Sequence, residues 1–251
     1  MTARLAPTIA SLVAVLLAAC TTYYEIPIET PIRPKLDVSA FDRVLVAGFI
    51  SGGTGDLDGN VETTRLLRSQ LRTKSELNVI DSDVLPLIAV AEEGLEAPPA
   101  RNDDGEAIIE GEDDLQPYEH LFANVDYWKR IGEEYQNPLI VTGTVLFTPH
   151  ARSGFVQREQ EVYDSFGRRR VVPVRTYVER KGFVLRPRFV FIDGRTGATI
   201  HSETFREEVL YNANQVTPAL SSYFELMDRL LPSFLSTLSS QKIRGTRILL
   251  Q

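Results

Sequence analysis

Residues 139–147 read LIVTGTVLF, a run in which only Thr142, Gly143 and Thr144 are not apolar. A short run of this kind, rich in β-branched residues and bounded by polar ones, is typical of a buried strand. A second such run, RVLVAGF, occupies residues 43–49. Both stretches are therefore predicted to be strands of one sheet, with 139–147 at its centre.

Helices and further strands are predicted between these two runs. Apolar residues at helical spacing follow Asn60, a residue type that caps helices, and continue to about Lys74. Residues 77–81 (LNVID) read as a strand, and Pro86 limits a short helix over 83–90. Residues 123–135 read as a helix that carries Trp128 and Ile131.

The region after the central strand is strongly basic. Residues 152–188 contain ten Arg or Lys against four Asp or Glu. Residues 155–163 and 171–179 are predicted to be the arms of a hairpin joined by 164–170 (DSFGRRR), with Pro173 interrupting the second arm. Charged side chains fall on both faces of the first arm, so we do not expect this hairpin to enter a lipid bilayer.

The last third of the chain is predicted to contain a second hairpin and a long helix. Strands over 184–192 and 198–209 flank the turn sequence DGRTG at 193–197. Apolar residues at three- and four-residue spacing predict a helix from near Thr217 to Leu238, kinked at Pro232. A final edge strand is predicted over 246–250. The fold class is therefore α/β (α+β), with a single mixed sheet packed by helices and an extended basic β-hairpin.

An acidic stretch interrupts this pattern over 91–117. Between Glu92 and Asp114 there are ten acidic side chains and one basic side chain, Arg101. Such a segment buries too little apolar surface to offset its ordering entropy. It is predicted to be a flexible, disordered insertion.

The first nineteen residues have the pattern of a signal peptide. One charge, Arg4, precedes an apolar run from Ile9 to Ala19, which is shorter than the about 20 residues that a spanning helix needs. The run ends in Leu17-Ala18-Ala19-Cys20 and resembles the lipobox of bacterial lipoproteins. The resemblance implies cleavage between Ala19 and Cys20. An ordinary secretory signal that happens to precede a cysteine is the alternative.

The lipobox implies that Cys20, the only cysteine in the chain, is lipidated. Its thiol would be diacylated and its new amino group acylated, with palmitate as the expected fatty acid. Several acyl chains anchor a protein stably to a membrane. Thr21, rather than Asp, favours the outer membrane with the protein facing the periplasm. Residues 20–40 contain prolines at 27, 31 and 34 and are predicted to form an extended tether.

The order of elements resembles a known family. The strand RVLVAGF, the helix before LNVID, the helix before LIVTGTV and the strand ending in FIDGRTG are similar to the periplasmic domain of CsgG-like curli-secretion lipoproteins. They are also similar to the amino-terminal domain of TolB. The resemblance covers about 41–90 and 123–240 within a domain predicted over 41–251. It implies a domain used for protein–protein assembly at the outer membrane, without a catalytic site.

No combination of residues predicts an enzyme or a cofactor. The glycine-rich run 52–55 lacks the Lys-Ser/Thr pair of a phosphate-binding loop, and Arg65 falls at the position where a calcium loop needs glutamate. The three histidines lack metal-ligand spacing, and no serine lies in a nucleophile elbow. We therefore expect no catalytic residue, metal or cofactor.

The basic hairpin is the strongest candidate for an interaction site. Its candidate residues are Arg168, Arg169, Arg170, Arg175, Arg180 and Lys181. They are expected to contact an anionic envelope surface, which could be lipid, cell wall or protein, unless the protein's own acidic stretch neutralises them. The compartment and the net charge of −7 argue against nucleic acid.

Three hypotheses about function remain open at this point. The first is a lipid-anchored periplasmic adaptor or assembly protein of the envelope. The second is a subunit that self-assembles into an export or ring complex as a homo-oligomer. The third is a cell-wall or glycan hydrolase, which would need two carboxylates close together in a cleft.

Overall fold

A computed structural model describes residues 23–93, 95, 100–102, 107–215 and 218–250. The described chain divides into two units. One contains residues 23–34 and 240–250, and the other, the body, contains Lys35–Ser239. The signal peptide over 1–19 and the lipidation site Cys20 lie outside the described residues.

The body contains one mixed sheet, which confirms the predicted fold class. Its strands are β2 (Arg43–Gly53), β3 (Asn78–Val79), β4 (Leu139–Tyr163), β5 (Arg169–Asp193), β6 (Thr199–Thr204) and β7 (Glu207–Asn212). They lie in the order β3-β2-β4-β5-β6, and β7 also pairs with β5. β2 is parallel to β3 and β4, whereas β5 is antiparallel to β4, β6 and β7.

Helices cover both faces of this sheet. The Asp58 side chain caps the first helix by accepting the Val61 N–H at 3.1 Å, and Asn124 caps the third by accepting the Tyr127 N–H at 3.1 Å. The helices are α1 (Gly59–Lys74), α2 (Leu87–Glu92), a 3₁₀ helix (Asp113–Ala123), α3 (Val125–Glu134) and α4 (Ala219–Leu238).

Two hydrophobic cores result, one on each face. The first contains Leu67 of α1 and Phe234 of α4, packed on sheet residues such as Phe189. The second contains Trp128 of α3 and Tyr118 of the 3₁₀ helix. Because the inner parts of β4 and β5 lie between the two cores, their sequences are continuously apolar, as expected for strands buried on both faces.

Close backbone packing explains the glycines at the strand ends. Gly53 has φ +106°, and a Cβ there would lie 1.8 Å from the Phe147 carbonyl oxygen. A Cβ on Gly52 would lie 2.3 Å from Ile109 Cγ2. The glycines at the end of β2 therefore allow a tight approach between chain segments.

The predicted tether is paired with another strand. β1 (Tyr23–Ile32) and β8 (Gln241–Leu250) form a two-stranded antiparallel ribbon, with Tyr23 opposite Leu250. The tether predicted over 20–40 therefore contains a strand over 23–32 that pairs with β8. The predicted strand over 246–250 exists but belongs to this ribbon. Prolines are tolerated because both strands are edges.

The acidic segment also differs from its prediction. Residues 94, 96–99 and 103–106 lie outside the described residues. In the described remainder of 91–117, Ala91, Ile109 and Leu115 are buried in the second core. The Ile109 carbonyl accepts the Gly53 N–H at 2.7 Å. Both ends of the segment are thus part of the fold, since a few apolar residues among the charges reach the core.

Among the described residues, no helix is long and apolar enough to cross a membrane.

Candidate interaction site

The basic hairpin is an extension of the two central strands. β4 and β5 are each continuous over 25 residues and pair along their whole length, from Leu139↔Asp193 to Tyr163↔Arg169. The sequence predicts a basic hairpin inserted over 152–183 and a separate strand over 184–192, but the structure joins them in one continuous strand pair. Pro173 does not interrupt the second arm, because it remains paired opposite Glu159.

Only part of this long hairpin contacts the cores. Every residue of 139–147 is buried, whereas most of 151–181 is exposed. We call residues 151–181 the outer hairpin. Its arms extend about 40 Å at about 3.3 Å per residue. An exposed hairpin of this length adds little to the packed core of the body.

The turn at the tip is organised by Asp164. Its Oδ1 accepts the N–H groups of Phe166 at 2.9 Å and Arg168 at 3.0 Å. Gly167 adopts φ +74°, and its N–H donates to the Asp164 carbonyl at 2.9 Å. Asp and Gly at these positions specify the turn, because Asp accepts backbone N–H groups and Gly tolerates a left-handed conformation.

The three tip arginines have carboxylate partners within the hairpin. Arg168 and Arg170 lie 3.2 Å and 3.7 Å from Asp164, and Arg169 lies 3.1 Å from Glu161. These carboxylates belong to the hairpin itself and not to the acidic stretch over 91–117, which is the alternative that the sequence offers. The tip is close to neutral, which weakens it as an electrostatic site.

The other predicted residues are spread along the arms. Cross-strand pairs lie on one face, and alternate residues lie on opposite faces. Arg169, Arg175 and Lys181 therefore share one face, and Arg170 and Arg180 the other. Among the described residues, Arg175, Arg180 and Lys181 have no carboxylate within ion-pair distance. The structure does not gather the six residues into one cluster.

A cleft lies at the base of the outer hairpin. Its volume is about 690 Å³. We call it the basal cleft. It is lined by Arg152, Val156, Val178, Arg180, Glu208 and Arg229, among other residues. Of these, only Arg180 is among the interaction residues that the sequence predicts. The register Arg152↔Arg180 could have revealed the second arginine, but only if the strand pairing had been known.

Apolar side chains accompany these charges. The rings of Phe155 and Tyr177 pack edge to face across the hairpin, 5.3 Å apart, and Phe155 remains 71% exposed. On the opposite face, Val156 and Val178 lie in the basal cleft. Exposed aromatic residues beside arginines are characteristic of protein-binding surfaces.

The other residues that the sequence analysis considered as functional have structural roles or lie outside the described residues. Asp58, which precedes Arg65 in the stretch compared with a calcium loop, caps α1. Within the described ranges, no group of His, Cys, Asp or Glu side chains could hold a metal ion. The histidine ring of His201 lies 3.6 Å from Glu203, and His120 Nδ1 contacts the Pro117 carbonyl at 2.7 Å. Ala19 and Cys20 lie outside the described residues.

Comparison with known proteins gives remote structural similarity. No protein-family model matches the chain, and no curated protein sequence matches it. The chain is similar to the lipoprotein GNA1162 of Neisseria meningitidis, with 11% identity and a TM-score of 0.35, covering 76% of this chain and 96% of that one. It is also similar to the hypothetical protein CT253 of Chlamydia trachomatis, with 9% identity and a TM-score of 0.37, covering 79% and 98% respectively.

Proposed function

We propose that this chain is a lipid-anchored envelope protein that acts by binding another protein through its outer hairpin. Cys20 carries the lipid, and the body faces the periplasm from the outer membrane. The proposal assigns the protein no catalytic activity. It extends the expectation from the CsgG-like and TolB resemblance that such a domain serves assembly.

The outer hairpin carries this proposal. Its two arms stay paired from Ala151↔Lys181 to Tyr163↔Arg169 while most of their side chains remain exposed. An isolated two-stranded hairpin is at best marginally stable in water, so such an extension gains from a partner that packs on it. Phe155 and Tyr177 supply the aromatic surface that protein interfaces favour.

The lipid anchor is supported by the amino-terminal sequence. The single cysteine follows a short apolar run and small residues, which is the arrangement that the lipobox requires. Replacing Cys20 by Ser should abolish the incorporation of labelled palmitate and leave residues 1–19 uncleaved by the lipoprotein peptidase. A Cys20→Ser variant that incorporates palmitate as the unaltered protein does would contradict the anchor.

Self-association through the hairpin edges is the second candidate. β2 pairs with β4 only as far as Gly53↔Phe147, and no described strand pairs with that edge of β4 beyond it. An unpaired edge is a template for another strand, including one from a second copy. Mass measurement of the lipid-free protein separates the candidates, because a monomer at high concentration would exclude stable self-association.

Partner capture from the native envelope tests the leading proposal. In the test variant, residues 153–179 are replaced by Asn-Gly, which joins the cross-strand partners Arg152 and Arg180. The control replaces only 159–173, joining Arg158 and Val174 and keeping the basal cleft. After envelope cross-linking, the unaltered protein should recover a defined partner that the first variant loses. Equal recovery by a correctly folded first variant would refute the proposal.

A further inference from the structure

We propose that the basal cleft binds an extended acidic segment of the partner protein. The segment would add as a strand to the free edge of β5, in line with β7, and would bring carboxylates to Arg152 and Arg180. This inference rests on the proposed function, since it specifies the chemistry of the partner that the outer hairpin binds.

Two like charges face each other at the base of the outer hairpin. Arg152 and Arg180 are directly opposite in the β4–β5 register, on the same face of the hairpin. Like charges directly opposite each other destabilise a sheet. Among the described residues, Arg180 has no ion-pair partner. An anion bound in the cleft would therefore reduce the repulsion between these two arginines.

The carboxylate already in the cleft does not neutralise both of these arginines. Glu208 lies 3.7 Å from Arg152, but it is shared with Arg206 at 3.6 Å. The third cleft arginine, Arg229, donates to the Glu208 carbonyl at 3.1 Å and pairs with Glu225 at 2.5 Å. The lining thus has three guanidinium groups and one carboxylate, and an acidic ligand would complement it.

The tip of the same hairpin provides an internal contrast. There, Arg168 and Arg170 share Asp164, and Arg169 pairs with Glu161. Each tip arginine thus has a carboxylate within ion-pair distance, as Arg152 has, whereas among the described residues Arg180 has none. We therefore assign the binding of an acidic partner to the base of the hairpin and not to its tip.

The backbone edge of β5 beside the cleft is free of a partner strand among the described residues. β7 pairs with β5 from Leu185↔Glu207 to Arg180↔Asn212, and the Ala213 N–H donates to the Glu179 carbonyl at 3.1 Å. Between Arg169 and Val178, no described strand pairs with this edge. An extended peptide can pair there as an added strand, with backbone hydrogen bonds giving affinity and alternate side chains giving specificity.

The cleft also suits such a peptide in size and polarity. A volume of about 690 Å³ accommodates several side chains. Val156 and Val178 provide apolar contacts between the arginines. In an added strand in which acidic and β-branched residues alternate, the carboxylates would face the two arginines, and the β-branched side chains would lie on the face that carries Phe155 and Tyr177. A concave cleft at the base of a protruding hairpin is less accessible to a flat bilayer than to a single extended chain, which favours protein over lipid.

Peptide binding to the lipid-free protein tests this inference. The probe is a fluorescent ten-residue peptide in which Glu alternates with Thr and Val, and binding is followed by fluorescence anisotropy. The test variant is Arg152→Gln/Arg180→Gln. The matched control, Arg168→Gln/Arg169→Gln, removes the same charge from the same hairpin. We expect the dissociation constant of the probe to rise by about tenfold or more for the test variant and to change by about twofold or less for the control.

Two further peptides separate the contributions of charge and backbone. A peptide with Lys in place of Glu should not bind measurably. A peptide with Pro in place of Thr and Val keeps the charge but lacks the N–H groups that strand addition needs, so it should bind about tenfold more weakly than the probe. Equal binding of the proline peptide would refute strand addition.

Equal loss of probe binding in both arginine variants, or in neither, would overturn the assignment to the basal cleft. Phosphatidylglycerol vesicles that bind the unaltered protein and lose binding only with Arg152→Gln/Arg180→Gln would reassign the cleft to lipid. The proposed function is judged separately by envelope capture. If Arg152→Gln/Arg180→Gln retains the partner that removal of 153–179 loses, the acidic-segment inference fails while the proposed function stands.

Discussion

The two halves of the central strand pair have opposite surroundings. In β4, residues 139–147 are buried without exception, whereas nearly all of 151–163 are exposed. β5 shows the same division, with Phe189 fully buried and Val171 51% exposed. Backbone pairing continues through both halves without a shift in register. The inner half is held by side chains packed from both faces, and the outer half chiefly by cross-strand contacts.

This difference separates what the body needs for folding from what remains available to a partner. The inner half supplies both hydrophobic cores. The outer half consists mainly of charged, β-branched and aromatic residues with much of their surface in water. Substitutions in the inner half should therefore affect stability, and substitutions in the outer half should affect binding.

The largest expected effect comes from truncating matched aromatic residues in the two halves. Phe189 is fully buried and its ring packs on Phe49 and Phe234. Phe189→Ala should lower the free energy of unfolding by about 3–5 kcal/mol. Phe155→Ala should lower it by about 1 kcal/mol or less, because that ring is mostly exposed and loses one aromatic contact. Urea unfolding of both variants measures the difference.

Similar losses of unfolding free energy in the two phenylalanine variants would contradict the division between a packed inner half and an exposed outer half. They would mean that the outer hairpin contributes to a packed core. Leu226, fully buried in α4, offers a second core position, and Leu226→Ala should lower the free energy of unfolding about as much as Phe189→Ala does.

The next effect concerns Asp193 at the inner end of β5. Side-chain hydrogen bonds from Arg195, at 3.0 and 2.9 Å, hold the pKa of this carboxyl below its usual value, and burial only partly opposes them. Since the folded-state pKa is depressed, the ionised carboxylate stabilises the fold above the unfolded pKa of about 3.9. That stability is lost as pH falls through the folded pKa.

Asp193→Asn tests this pH dependence. At neutral pH the variant should be less stable by about 1–2 kcal/mol, because hydrogen bonds to a charged acceptor are lost. The difference from the unaltered protein should shrink as pH falls below about 4, which thermal unfolding at several pH values would show. A difference that stays constant down to the folded pKa would refute the assignment to ionised Asp193.

The smallest effect has the opposite sign. Arg180→Thr removes one of two facing arginines and introduces a β-branched residue that suits a strand. We expect a gain of about 0.2–1 kcal/mol in the free energy of unfolding, together with weaker binding of an acidic peptide. Arg175→Thr is the control, because its cross-strand partner is the neutral Gln157. Loss of stability in Arg180→Thr alone would show that this arginine is structural.

The sequence was sufficient for the elements that pack in the cores. The run RVLVAGF lies within β2, and the helix predicted from Asn60 to about Lys74 is observed from Gly59 to Lys74. The predicted helix at 123–135 is observed over Val125–Glu134. These predictions succeeded because the periodicity of apolar residues follows directly from which face is buried.

Features that depend on pairing between distant segments could not be predicted. The continuity of 139–163 was missed because the hydrophobic pattern changes where the strand leaves the core, although backbone pairing does not. The β1–β8 ribbon joins residues more than two hundred positions apart. The basal cleft required the register Arg152↔Arg180 and the position of Arg229 on α4, neither of which has a local signal.

Site-specific photo-crosslinking in the living host tests the central claim most directly. A photoreactive phenylalanine analogue would replace Phe155 or Val178 in the outer hairpin. Val125 on α3 and Leu220 on α4, which are 46% and 45% exposed, serve as matched positions on the helices. We predict that the hairpin positions give an adduct of defined mass and the helix positions do not. Adducts from the helix positions alone would contradict the account.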